Sequence, residues 1–417
     1  MSIKSKAKLG VILTVDESAP ITLFEGDVVK NLVYKSGTTE KTISGAVRVI
    51  DASTKGNNSV PTDCPPEPYS FKYITPYALV IDSSSEFDAD LTRINISNIL
   101  RIGEVNGEVM NQDVAEPTTT AITAAIEAVK EGGMVTLPVG KYVGEKLSFG
   151  KSVVISGPLS GAQTPNSDTT KEAVVAAPIE ITSADAEVTF RGLSFSDTAH
   201  PVIRAAKAVK FVNCRFEGIV PDAVKTMMVN MDPSVTAKVE ITGCYFGTPA
   251  EVEGKKIYNM FEMSGKLEDG SEFSNNYFDV DCCSHNKINI YDVVDGANIK
   301  VNGNTFPKTD AMIRIGIKGA VRCNILMENN AYDYACADIT NPEQTKWAGM
   351  VCIQPYGKQT TDMSGWVINL NKTKNTSGVA QLGILYFGGA DMPYDATKCP
   401  KVYVDGKETQ LNLIIEQ

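Results

Sequence analysis

The stretch FDVDCCSHNKINIYDVVD at residues 278–295 holds the densest group of side chains able to do chemistry. Asp279 and Asp281 are two residues apart, so they share a face if this stretch is a strand. Glycoside hydrolysis uses two carboxyl groups about 5–9.5 Å apart, a separation compatible with such a pair. Asp279 and Asp281 are therefore candidate catalytic residues, and the alternative is that they belong to a solvated face or a turn.

The same stretch contains Cys282, Cys283 and His285, which raise the question of a metal site. A structural zinc site uses four ligands, usually with cysteine pairs two to four residues apart. Adjacent cysteines on a strand point to opposite faces, and no second cluster lies nearby in the sequence. The sequence therefore predicts no metal and no cofactor.

Two further cysteines lie in a shared local frame, FVNCRF at 211–216 and ITGCYF at 241–246. The frame is an apolar residue, a further residue three positions later and an aromatic residue five positions later. It recurs with first residues Phe190, Phe211, Ile241, Phe273, Val301 and Met327. The number of residues between successive copies varies while the frame itself stays constant. This indicates a solenoid in which equivalent strands are connected by loops of different length.

Positions +3 and +5, counted from the first apolar residue of the frame, are expected to form two interior columns. The bend falls on the polar or glycine residue just before position +3, so positions +3 and +5 both return to the interior. Equivalent residues then stack about 4.8 Å apart, and asparagine amides can hydrogen-bond along such a column. The ladder residues at +3 are Leu193, Cys214, Cys244, Asn276, Asn304 and Asn330. The aromatic stack at +5 is Phe195, Phe216, Phe246, Phe278, Phe306 and Tyr332. Cys214 and Cys244 are predicted to be buried, reduced and in contact.

Composition narrows the classes of function. The formal net charge is −11, with 39 Lys+Arg and 50 Asp+Glu, which disfavours nucleic-acid binding through a general basic field. The two histidines leave few routes to His-based catalysis. No stretch approaches the roughly 20 apolar residues of a membrane span, and the early run GVILTV is too short for a signal peptide. We therefore expect synthesis in a cytosol, with no membrane span and no nucleic-acid partner.

The pattern of residue types divides the chain into three parts. Residues 1–113 alternate in Val, Ile and Thr between turns, which predicts a small antiparallel β barrel or sandwich. Residues 118–131 carry one apolar helical face, with threonines as N-cap and Gly132 as a stop, which predicts one short capping helix. The solenoid is expected over 114–375, and 376–417 is expected to cap it or to contact another subunit.

The segment AITAAIEAVKEGGMVTLPVGKYVGEKLSF (121–149) resembles the start of the pectate-lyase-like right-handed parallel β-helix superfamily. The matching residues are Gly132, Gly133, Val135, Leu137, Pro138, Gly140 and Tyr142. The resemblance covers about residues 114–375 and implies an all-β fold, a right-handed parallel β-helix behind the N-terminal β domain. It is specific for fold and weak for function, because this fold carries enzymes and non-catalytic virion proteins alike.

A small β module before such a helix resembles the layout of bacteriophage virion appendages. The leading hypothesis is a virion structural protein, a capsid decoration, head fibre or tailspike-like component, that docks on other virion proteins through residues 1–113. Homotrimers are common among phage β-helix proteins, so the resemblance implies a homo-oligomer. Two alternatives stay open: a polysaccharide-cleaving tailspike depolymerase, and a non-catalytic adhesin that binds host surface glycans.

Overall fold

The computed structural model describes part of the chain in atomic detail. The described residues are 11–13, 21–23, 27–45, 47–51, 79–82, 91–92, 99–279, 287–307, 311–317, 322–332, 349–355, 362–372, 374–375, 384–388, 395–409 and 412–416. Asp281, Cys282, Cys283 and His285 lie outside them. The chain separates into two compact units, one of Met1–Asp113 with Ala124–Thr136 and one of Val114–Thr123 with Leu137–Gln417.

The first unit is built mainly from antiparallel strands. Its central strand Val28–Ser36 pairs antiparallel with Thr39–Ile43, Val47–Asp51 and Ile99–Val105. This confirms the antiparallel strands predicted for the N-terminal part. The described strands of this unit are Val11–Leu13, Ile21–Leu23, Val28–Ser36, Thr39–Ile43, Val47–Asp51, Leu79–Asp82, Leu91–Thr92, Ile99–Val105, Glu108–Val109, Asn111–Asp113 and Met134–Thr136.

The predicted helix is present at Thr119–Ala128. Thr118 caps it, since the Thr118 hydroxyl accepts from the backbone N–H of Ala121 at 3.1 Å. The predicted helix reached residue 131, three residues beyond the observed end. The helix ends early because the backbone N–H of Lys130 donates to the carbonyl of Val109 at 2.8 Å instead of continuing the helical pattern.

The second unit consists mostly of three sheets of parallel strands, here named sheets I, II and III. The chain visits them in the order I, II, III and then repeats, so each strand pairs with the equivalent strand of the next repeat. We call one such succession of three strands a rung. Strand Lys256–Leu267 pairs with neighbours in both sheets III and I, which joins these two sheets at their shared edge.

The strands of the three sheets have the following bounds. Sheet I contains Val153–Ser156, Glu187–Arg191, Ala208–Val212, Thr236–Thr242, Glu272–Ser274, Ala297–Asn302, Cys323–Glu328, Trp366–Asn371 and Lys401–Val404. Sheet II contains Gly140–Tyr142, Ala173–Val175, Ser194–Asp197, Arg215–Ile219, Tyr245–Phe246, Tyr277–Phe278, Thr305–Phe306, Ala331–Tyr332 and Lys374–Asn375. Sheet III contains Leu147–Phe149, Ile179–Thr182, Pro201–Ala205, Lys225–Met231, Lys256–Leu267, Ile288–Val293, Ala311–Ile317, Gly349–Pro355, Ile384–Gly388 and Asn412–Glu416.

The register keeps the first residues of the repeated frame directly opposite one another. Phe190 pairs with Phe211, Phe211 with Ile241, Ile241 with Phe273 and Phe273 with Val301. These residues are all buried, because alternate side chains of a strand share one face and this face points inward. The result is an all-β stack of parallel sheets, compatible with a β-helix.

Parallel pairing continues into the C-terminal segment. Trp366–Asn371 pairs with Lys401–Val404, and Ile384–Gly388 pairs with Asn412–Glu416. Sheet I then turns back, since Lys401–Val404 also pairs antiparallel with Lys407–Glu408 around the turn at Asp405 and Gly406. A short 3-10 helix, Ala396–Lys398, precedes this hairpin.

Candidate functional site

The six predicted ladder residues lie in one interior column, each at most 1 % exposed. Asn276 Nδ2 donates to Asn304 Oδ1 at 3.0 Å, and Asn304 Nδ2 donates to Asn330 Oδ1 at 3.0 Å. The amides therefore form a continuous hydrogen-bonded chain across three rungs inside the sheet stack.

Each ladder asparagine also satisfies two backbone groups of the preceding rung. Asn304 Oδ1 accepts from the backbone N–H of Asn276 at 3.0 Å, and Asn304 Nδ2 donates to the carbonyl of Phe273 at 2.8 Å. Asn276 acts in the same way on the N–H of Cys244 and the carbonyl of Ile241. Such backbone groups are costly to bury unpaired, so the side chains complete the backbone hydrogen bonding at the turn.

The two cysteines use the same positions with weaker contacts. Cys244 Sγ accepts from the backbone N–H of Cys214 at 3.4 Å and donates to the carbonyl of Phe211 at 3.5 Å. Both thiols are free and buried, and burial raises the pKa of the Cys244 thiol well above its usual value. Cys214 and Cys244 thus act as sulfur counterparts of the asparagines in this column.

The aromatic residues stack in a second column beside the ladder. Ring centroids of Phe195 and Phe216 are 4.7 Å apart, those of Phe216 and Phe246 4.8 Å, and those of Phe278 and Phe306 4.8 Å. Tyr332 pairs with Phe306 through its backbone in sheet II. These distances match the spacing of neighbouring strands, so the rings repeat with the rungs.

The outer face of the same strands holds an aperiodic group of side chains, which we call the Arg215 cluster. It consists of Glu172, Arg215, Glu217, Tyr245, Tyr277 and Asp279. Four of its residues lie on strands of sheet II, and Asp279 directly follows the strand Tyr277–Phe278. Glu172 ends the segment 157–172, here named the strap. This cluster is the candidate functional site because it contains the candidate Asp279 and a buried guanidinium.

Arg215 is the centre of the cluster, with only 4 % of its side chain exposed. Its Nη1 donates to the carbonyl of Thr164 in the strap at 2.8 Å, and its Nη2 donates to Glu217 at 2.9 Å. Its Nε lies 3.6 Å from Glu172 Oε1, and its guanidinium lies 4.2 Å from the centre of the Tyr245 ring. A buried cation needs such partners, so two carboxylates and one aromatic face neutralise and solvate it.

Tyr245 links Arg215 to Asp279. The Tyr245 hydroxyl donates to Asp279 Oδ2 at 3.3 Å, and burial raises the pKa of this hydroxyl to about 12. Tyr245 therefore stays a neutral donor at neutral pH. Gly247 makes room for it, because a Cβ there would lie 2.7 Å from the Tyr245 ring.

Burial also raises the pKa of Glu172, and the charge of Arg215 opposes this shift. Glu217 and Asp279 belong to rungs that are two apart, which corresponds to about 9.6 Å at the usual strand spacing. This lies at the upper limit of the separation used by inverting glycosidases. Glu217, however, accepts a hydrogen bond from Arg215, and Asp279 accepts one from Tyr245. Arg215 in turn donates to the strap carbonyl of Thr164, so the observed contacts form a clamp that holds the strap in place.

The candidate pair Asp279 and Asp281 is only half described. The structure brings Asp279 together with Tyr245, whereas Asp281 falls outside the described residues. Sequence reasoning missed Arg215 and Glu172, although Arg215 stands between two buried positions of the frame, Cys214 and Phe216. A charged residue flanked in this way is the signal that could have indicated a buried ion pair.

Among the residues described, no three His, Cys, Asp or Glu side chains converge as metal ligands. No described helix combines the length and apolar character needed to cross a membrane. No protein-family model matches the chain, and no curated protein matches it in sequence.

Proposed function

We propose that the stacked sheets form a right-handed parallel β-helix that serves as a rigid structural element of a bacteriophage particle. The N-terminal β strands within residues 1–113 would dock on other virion proteins, and the helix would project as a capsid decoration, head fibre or tail appendage. Such a protein is made in the host cytoplasm and ends up in the virion, as a homo-oligomer. The proposal rests mainly on the long succession of mostly parallel-paired strands from Gly140–Tyr142 to Asn412–Glu416.

The outer charges support a structural role, since they pair along the stack. Arg204 joins Glu180 and Asp232 on different rungs, at 3.2 and 2.9 Å. Glu240 contacts both Lys210 and Lys238. Each exposed ion pair adds little stability alone, but a network of pairs between rungs opposes the displacement of one rung relative to the next. The interior ladder adds fixed hydrogen bonds in the same direction, which suits a stiff rod.

The decisive experiment locates the protein in its particle. Virions purified by density gradient would be dissociated and analysed by mass spectrometry, and intact particles would be imaged with an antibody to the stacked region. We expect a fixed copy number per particle, and loss of incorporation when residues 1–113 are deleted while the remainder stays soluble. Recovery of the protein only in the soluble fraction of the lysate would refute the proposal.

A second candidate function is cleavage of host surface polysaccharide. It is favoured by one observation: Glu172 and Glu217 contact Arg215, and Asp279 contacts the nearby Tyr245 hydroxyl, so three carboxylates lie in one cluster. Reducing-end release from host glycans would support it, provided that Asp279→Asn and Glu217→Gln abolish release while the matched surface change Glu251→Gln does not. Glycan binding without release would favour the adhesin.

A further inference from the structure

The tripeptide Val-Asn-Gly occurs twice in the chain, at residues 105–107 and at residues 301–303. Asparagine is a chemically labile residue, and a following glycine exposes it most, because no side chain shields the glycine backbone nitrogen from the asparagine side chain. The two copies have the same local sequence. A difference in reactivity between them therefore has to come from the folded structure.

The first copy lies in an open hairpin turn. Asn106 and Gly107 are its two turn residues, and the residues on either side of them, Val105 and Glu108, pair antiparallel. The φ angles of Asn106 and Gly107 are 51° and 87°, as in the type I′ turn that Asn-Gly favours. Both residues are exposed, and a Cβ on Gly107 would meet no atom within 4 Å. Within the described part of the chain, no group accepts a hydrogen bond from the Gly107 N–H, so this nitrogen is open to reaction.

The second copy is held by the next rung of the stack. The N–H of Gly303 donates to the carbonyl of Glu328 at 2.7 Å, and Asn302 Oδ1 accepts from the N–H of Glu328 at 2.9 Å. Asn302 and Gly303 are half-buried, and a Cβ on Gly303 would collide with Oδ1 of Asn275. Both the glycine nitrogen and the asparagine side chain are therefore engaged and confined.

We propose that Asn106 is a site of spontaneous deamidation in the folded chain, whereas Asn302 is protected. The Gly107 nitrogen attacks Cγ of Asn106, and the new N–C bond closes a five-membered succinimide ring. The Cγ–Nδ2 bond breaks, and Nδ2 leaves as ammonia with the proton that the Gly107 nitrogen loses. Water then adds to one of the two ring carbonyls and opens the ring to aspartate or isoaspartate. Water is the only co-reactant.

The conversion changes the contacts that tie this turn to the central strand Val28–Ser36. The Asn106 N–H donates to the carbonyl of Val28 at 2.7 Å, and Asn106 Oδ1 accepts from the N–H of Val28 at 2.9 Å. Asn106 Nδ2 donates to Asp27 Oδ1 at 2.9 Å. Aspartate has no such donor, so two carboxylates would face each other at the former hydrogen-bond distance. Isoaspartate adds a backbone carbon to a turn whose two-residue length sets the strand pairing. Deamidation therefore loosens the N-terminal unit as the protein ages and leaves the parallel stack intact.

This inference is independent of the proposed function, because it depends only on the two tripeptides. The full-length chain is incubated at mildly alkaline pH and sampled over time, and trypsin places the two copies on different peptides, 102–130 and 301–308. Mass spectrometry measures the conversion of amide to acid in each peptide, and electron-transfer fragmentation identifies isoaspartate. We expect conversion at Asn106 to be at least about tenfold faster than at Asn302. Equal rates, or no conversion at Asn106, would overturn the proposal.

The same incubation in guanidinium chloride supplies the reference without the fold. Asn106 and Asn302 should then convert at similar rates, because only the shared local sequence remains. If Asn106 stays at least about tenfold faster in the unfolded chain, the selectivity comes from the sequence and the protection assigned to the second copy is wrong.

A variant tests the structural consequence. Asn106→Asp reproduces one product of the reaction, and hydrogen exchange should become several-fold faster in Val28–Ser36 while Ala297–Asn302 exchanges as in the wild type. The matched control, Asn166→Asp, adds the same charge at an exposed asparagine and should leave the exchange of Val28–Ser36 unchanged. Wild-type exchange in Asn106→Asp, or equal acceleration in both variants, would show that deamidation does not loosen the N-terminal unit.

Discussion

The interior and the outer face of sheet II follow different rules, although they alternate residue by residue along the same strands. Cys214 and Phe216 point inward and have residues of the same type, Cys244 and Phe246, on the next rung. Arg215 between them points outward, and the residue at its equivalent position is Tyr245. The interior repeats because every rung must close the same backbone turn around the same narrow core. The outer face has no such constraint, so its contacts are set by the segment that covers it.

The largest effect is expected in the ladder. Asn304→Leu removes the partners of the Asn276 N–H and the Phe273 carbonyl, and it interrupts the amide chain to Asn330. Each buried unpaired group costs about 1–3 kcal/mol, so we expect a loss of about 4 kcal/mol in the free energy of unfolding. Urea unfolding followed by tryptophan fluorescence measures it, since Trp366 is buried in the stack.

The matched control for the ladder is Asn298→Leu, an exposed asparagine on the outer face of sheet I. Its amide also bonds across rungs, to Asp269 at 3.0 Å, but water replaces that bond when it is lost. Asn298→Leu should therefore shift the midpoint of urea unfolding only slightly. Equal losses of stability for Asn304→Leu and Asn298→Leu would mean that burial does not determine how much a hydrogen bond between rungs contributes.

Arg215→Met should have the next largest effect. It leaves Glu172 and Glu217 without their cation and frees the carbonyl of Thr164, so we expect a loss of about 3 kcal/mol. The strap should open locally as well. Trypsin cleavage after Lys171, an exposed residue of the strap, would measure this opening and should become faster.

A control separates the clamp from a general loss of arginine. Arg191→Met removes a guanidinium that donates to the Ser156 hydroxyl at 3.1 Å and leaves the contacts of Arg215 intact. Cleavage after Lys171 should then stay at the wild-type rate. An unchanged rate in Arg215→Met would show that the strap is held by its backbone bonds to Gly192 and Gly243 alone.

The thiol rungs allow a smaller test within the interior column. Cys244→Asn replaces sulfur contacts of 3.4 and 3.5 Å with amide hydrogen bonds like those of Asn276, so it should keep or raise stability by about 1 kcal/mol. Cys244→Lys buries an unpaired charge and should prevent folding or cost several kcal/mol. Thermal melting of both variants measures the contrast. If Asn were as harmful as Lys at this position, the two residue types would not be interchangeable in the column.

The sequence made the parallel stack predictable because its interior is periodic. A residue such as Phe211 or Asn304 is recognisable from its position in the repeated sequence frame. The same position predicts that its side chain points inward and which residues of the adjacent rungs it contacts. The Arg215 cluster has no spacing rule, because Glu172 and Thr164 reach Arg215 through a strap of irregular conformation. The candidate Asp279 was found by its carboxyl alone, and its link to Tyr245 depends on a contact between rungs that no local pattern encodes.

The smallest effect is expected for an exposed pair between rungs, Asp295 with Arg322. Their side chains are 54 % and 76 % exposed, so solvent screens most of their attraction. The Arg322 guanidinium lowers the pKa of Asp295 to about 2, below the value of about 3.9 in an unfolded chain. The stabilisation is therefore complete above about pH 4 and is lost as the pH falls towards about 2. Melting temperatures of wild type and Asp295→Asn should differ slightly at pH 6 and converge at pH 2. A difference at pH 6 as large as that of Arg215→Met would mean that outer pairs hold the stack as firmly as the buried clamp does.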